Sequence, residues 1–156
     1  MRNSFKRDRA MAAIAVGGLT AGTLDILAAF LLAGMRHVGP DRVLHYIASG
    51  LLGTRAFIGG WTTGTLGLVL HFLIAFGAAG VYWLLSRGLR VMVTHPVVCG
   101  LLYGIPVYLF TNYVLVPLSK IGSRPVGPVS GIVTGVVVVM LCVGLPVAVM
   151  ARRYSR

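Results

Sequence analysis

Asp25 is a carboxylic acid in the middle of an apolar run, Met11 to Met35 (MAAIAVGGLTAGTLDILAAFLLAGM). His71 is an imidazole in the middle of another. An acid and an imidazole brought together can hold or pass a proton, bind a cation, or anchor a small polar ligand. Tyr108 and Asn112, four residues apart in a third run, and Thr134 in a fourth could complete their hydrogen bonds. A charged side chain at the centre of a bilayer costs at least ~2.5–3.5 kcal/mol, so Asp25 is expected to face inward and find a partner. His71 is the natural one. Arg55 and His45, in the connection between the first two runs, are rivals at the rim.

These residues lie on or beside faces of small residues. At helical spacing Asp25 shares its face with Gly18, Ala21, Gly22, Ala28 and Ala29, and His71 shares its own with Gly64, Gly67, Ala75 and Ala78. Gly18 and Gly22 form a GxxxG pair, as do Gly100 and Gly104, and Gly127, Gly131 and Gly135 form a double one. That spacing lets two helix backbones approach closely.

Other chemistry is not signalled. There is no hydrolase elbow, phosphate-binding loop, zincin or dinucleotide fingerprint, so no catalytic residue is assigned. Cys99 and Cys142 sit in apolar runs without metal-ligand spacing, and read as small apolar fillers. Haem through His71 would need a second ligand at matching depth. No metal or cofactor is expected.

The elements that must position these groups follow from composition. Of the 156 residues 57% are hydrophobic and 11% charged, and the mean hydropathy is +0.89. Soluble domains carry roughly 25% charged residues. We read one all-α membrane domain, a four-helix transmembrane bundle with spans at about 10–35, 61–85, 96–118 and 126–151. The first run exceeds the roughly 7–15 residues of a signal-peptide core, so it is read as a retained span. Between spans one and two, Gly39-Pro40-Asp41 starts a short amphipathic helix over about 41–53. It is expected to lie in the interface or to dip into the membrane. Val43, Leu44, Ile47, Ala48 and Leu51 share one of its faces, and Arg42, His45 and Ser49 another. Pro106 and Pro146 are expected to bend spans three and four.

The net charge of +11 sits at the ends of the apolar runs, where lipid headgroups favour it, and not among aromatic residues. Nucleic acid is therefore not an expected partner; the lipid bilayer is, with other membrane subunits or a second copy as further candidates. Lys and Arg number nine over the N-terminal tail, residues 86–95 and the C-terminal tail, against five on the other side. The positive-inside rule then puts both termini in the cytoplasm.

That topology allows depth to be computed at 1.5 Å per residue. Asp25, His71, Asn112 and Thr134 fall about 22, 22, 24 and 26 Å from the cytoplasmic ends of their spans, one polar residue per helix in one layer. Two readings compete. In one, the layer is a structural Asp–His–Asn network that sets helix register in an accessory or scaffold subunit. In the other it serves a small proton-linked carrier or channel using Asp25 and His71. A weaker third reading is a membrane enzyme or redox subunit with an outward-facing polar pocket. Toward the cytoplasm Tyr103 is the main polar group, so the layer is expected to be open outward and closed inward.

The strings IASGLLG (47–53), HFLIAF (71–76) and HPVVCGLLYGIPVYLFTNYVLVPLS (95–119) resemble an uncharacterised family of small four-span bacterial inner-membrane proteins. The resemblance implies the four-span fold and a bacterial inner membrane. It carries no activity and no functional residue.

Overall fold

The computed structural model describes residues 2–123, 125 and 127–155, with side chains from Arg7 onward. Arg2, Lys6, Arg124 and Arg156, which enter the charge count, and Val126, where span four was expected to begin, lie outside those described in full. All regular structure among the described residues is helical, and the chain is an all-α bundle. Four helices are long and apolar enough to cross a membrane: span one (Arg7–Gly34), span two (Gly60–Gly88), span three (Pro96–Leu118) and span four (Val129–Ser155).

Local chemistry sets the ends. The first helix starts at Arg2, so the basic tail is helical and continuous with span one. It stops at Gly34, and His37 then turns the chain with φ 58°. Span four starts at Val129 because Pro128, in extended conformation, caps it and cannot continue the helix backwards. The connection over 86–95 is largely helical: span two runs on to Gly88, and Val91–Thr94 adds one short turn.

Pro106 does not interrupt its helix, which runs from Pro96 to Phe110. The irregular turns lie elsewhere. Wide π turns occupy Thr111–Leu115 in span three and Met140–Gly144 in span four. Each ends two residues before a proline, Pro117 or Pro146. A proline ring collides with the carbonyl four residues back. Widening the preceding turn by one residue relieves that collision and keeps backbone groups paired inside the segment.

Span one is the central rod, packed on one side against span two and on the other against span four. Span three packs mainly against span four. The span-three–span-four crossing is built from glycine backbone. A Cβ on Gly100 would lie 2.7 Å from both the Ala148 Cβ and the Gly144 carbonyl oxygen, and one on Gly144 would strike the Gly100 carbonyl. Gly104 abuts the Met140 backbone. Spans two and three meet near the termini end, where Tyr103 Oη donates to the Ala78 carbonyl (2.8 Å) and packs edge-on against Tyr82 at 5.0 Å.

The packed core gathers in that same half: Ala13, Ala79, Tyr82, Trp83, Met92, Val147, Ala148 and Ala151 are buried together. Tyr82 is fully buried and donates to the Met92 carbonyl at 3.0 Å, which fastens the 86–95 connection under the bundle. The opposite half is looser, and no residue of Val129–Val139 is buried.

The surface helix runs from Pro40 to Leu52. It packs against span two. Its Leu44 carbonyl and Ala48 amide rest directly on Gly67, about 10 Å along span two from Gly60. On its other flank Lys120 N–H donates to the Gly50 carbonyl (2.9 Å). Packing on two sides rotates it from the expected face: Ser49 is buried and Leu51 exposed, the reverse of simple amphipathic placement. The helix closes at Gly53 (φ 65°) and passes into a 3-10 turn over Gly53–Ile58, which Thr63 Oγ1 holds by donating to the Ala56 carbonyl at 2.8 Å.

Candidate functional site

Span one offers Gly18 and Gly22 to span two, and the rings of Phe76 and Phe72 fill the space a side chain would take. This close approach brings His71 to the backbone of span one. Its Nε2–H donates to the Gly22 carbonyl at 2.8 Å, across 49 residues of sequence. A helical carbonyl has a second lone pair, so Gly22 accepts this bond without giving up its own helix. The bond places the ring proton on Nε2 and leaves Nδ1 as the other polar atom. Phe72 packs edge-on against the imidazole at 5.6 Å.

Asp25 stands one turn from Gly22. It is half-buried and within electrostatic reach of His71. The imidazole bonds the backbone and makes no hydrogen bond or ion pair with the carboxylate. The wide turn of span four, Met140–Gly144, also packs against span one. This arrangement ties spans one and two by a bond that both protonation states of the ring can donate.

The other polar residues of the layer spend their hydrogen bonds on their own helices. Asn112 Nδ2 donates to the Tyr108 carbonyl (3.0 Å) and Thr134 Oγ1 to the Ser130 carbonyl (2.8 Å); both residues are exposed. Tyr108 lays its ring on Gly135. At the rim, His45 Nε2 donates to the Gly60 carbonyl (2.9 Å), and Arg55 is exposed. So the structure bonds His71 to Gly22, one turn from Asp25, with no hydrogen bond or ion pair between acid and imidazole, and it does not draw Asn112, Thr134, His45 or Arg55 to either. Equal depth does not ensure contact, because a hydroxyl or amide on a helix can satisfy itself one turn back.

The glycine faces divide similarly. Gly18, Gly22, Gly67, Gly100, Gly104 and Gly135 meet another helix closely. A Cβ on Gly64 would lie 3.8 Å from the His45 ring. A Cβ on Gly127 would meet nothing within 4 Å, and one on Gly131 only Pro128. Gly144 and Gly17 belong to no GxxxG pair, yet both meet another helix. Gly144 is a lone glycine two residues before Pro146, at a depth comparable to Gly100, and that match was the available signal. Gly17 packs on Val147 and Met150 of span four.

No group of three or more His, Cys, Asp or Glu among the described residues could hold a metal ion. Comparison of the chain with protein-family models, with curated proteins and with solved structures finds no match. The resemblance to small four-span bacterial proteins thus rests on the quoted strings alone.

Proposed function

We propose that the protein is a non-enzymatic integral membrane protein of the bacterial inner membrane, an accessory or scaffold subunit with both termini cytoplasmic. In this reading the Asp25–His71 pair is structural. The observation that carries it is the bond from His71 Nε2 to the Gly22 carbonyl. It spends the imidazole on joining two spans, at the point where Gly22 lets them touch. The dense core on the termini side, around Tyr82, Trp83 and Val147, supports a bundle closed at that end.

Proteoliposomes loaded with a pH-sensitive dye test this reading. Wild type and the paired variant Asp25→Asn, His71→Gln are expected to show the same leak as empty vesicles under a proton or alkali-cation gradient. A protein-dependent flux that disappears in the paired variant would instead make the pair a relay.

The carrier reading has one observation in its favour. Asp25 is half-buried in span one, one turn from the carbonyl that His71 grips, so an acid and an imidazole lie close together in the apolar part of the bundle.

A further inference from the structure

On the surface away from the termini, Val38, Arg42, Val43, Tyr46 and Phe57 line an open groove of about 280 Å³. It is an open surface groove and not an enclosed cavity, so it suits an elongated occupant lying along it. Four of the five lining residues offer hydrocarbon or aromatic surface, and Arg42 offers the charge.

Two independent features indicate what fills it. The first is charge. On this end of the molecule Arg36, Arg42, Arg55 and Lys120 face a single acid among the described residues, Asp41, which is itself exposed. A guanidinium is the side chain best shaped to grip a phosphate through paired N–H donors. The second is where the groove opens. Next to Phe57, Ile58 is 86% exposed and Trp61 94% exposed. Side chains that large and apolar belong at the boundary between headgroups and acyl chains, where tryptophan concentrates. The groove mouth therefore lies among lipids.

We propose that this groove is a binding site for an anionic phospholipid of the leaflet opposite the termini. The headgroup phosphate sits on the Arg42 guanidinium, and the upper acyl chain lies along Val38, Val43, Tyr46 and Phe57. The lipid packs against the surface helix and the 3-10 turn, and so holds both against span two.

The test is native mass spectrometry of the full chain released from nanodiscs of equimolar phosphatidylglycerol and phosphatidylcholine. Wild type is expected to retain phosphatidylglycerol in preference to phosphatidylcholine. Arg42→Gln should cut that retention about tenfold, the loss of a charge-assisted hydrogen bond to the phosphate. Arg36→Gln removes the same charge outside the groove but no phosphate contact, and should cut it clearly less than Arg42→Gln does. Val43→Trp fills the groove and should release the lipid with the charge intact, its folding being checked by circular dichroism. If that variant does not fold, the Arg42 and Arg36 pair decides. Equal losses in those two variants, no preference in wild type, or displacement of the lipid by inorganic phosphate would each overturn the site.

Discussion

Replacing Gly144 with alanine should loosen the bundle at the crossing of spans three and four. The new methyl would strike the Gly100 carbonyl and approach Gly104 N to 3.0 Å. Both obstacles are backbone, so no side chain can swing aside. The two helices must separate, and the neighbouring contacts of Gly100 with Ala148 and of Gly104 with Met140 open with them. Overpacking of this kind costs about 1–3 kcal/mol, and rigid surroundings place it near 3. Alanine recovers about 0.5–1 kcal/mol of helix propensity, leaving a net loss of about 2 kcal/mol. Loss of helicity on titration with sodium dodecyl sulfate in mixed micelles measures it. Gly131→Ala is the matched control: its methyl meets only the Pro128 ring at 3.8 Å, so it should be neutral or stabilising by up to ~1 kcal/mol. Equal effects of the two substitutions would refute the packing assigned to this crossing.

Further expectations come from the same geometry. Tyr103→Phe removes the bond to the Ala78 carbonyl and should destabilise by about 0.6 kcal/mol, near the average for interhelical bonds in membranes, read in the same titration. Asn112→Leu and Thr134→Val should each change stability by less than ~0.5 kcal/mol, because both side chains bond only their own helix. A larger loss would show that they hold another span. Gly67→Leu pushes against the Leu44 carbonyl and should detach the surface helix. Faster amide exchange confined to 40–52, with the spans unchanged, is the expected result.

Much of the fold was legible because hydrocarbon thickness fixes how long an apolar run must be, and headgroups fix where the charges fall. The four spans and the surface helix follow from those two facts. Glycine spacing also marked the close approach of span one to span two. What periodicity does not carry is azimuth. In lipid the outward face of a helix is as apolar as its inward face, so nothing in the pattern says that span one lies between two and four. The same gap explains Asn112 and Thr134, matched with Asp25 in depth yet exposed. Helical periodicity puts Ser49 on the polar face of the surface helix with Arg42 and His45, whereas the glycines of span two and the Ser119–Ile121 turn cover that helix from two sides and bury it. The wide turns before Pro117 and Pro146 depend on how a helix accommodates a proline ring, and the sequence shows the ring but not the accommodation.

The structural role of the acid–imidazole pair is tested most directly by a double-mutant cycle on unfolding in mixed micelles. Asp25→Asn removes the charge and His71→Gln keeps a donor for the Gly22 carbonyl, so the cycle isolates the electrostatic link between the two spans. The pair should show a coupling energy of about 0.5–1.5 kcal/mol. Effects that add to within ~0.3 kcal/mol would mean that Asp25 and His71 do not act on each other, and that the pair does not set the register of spans one and two.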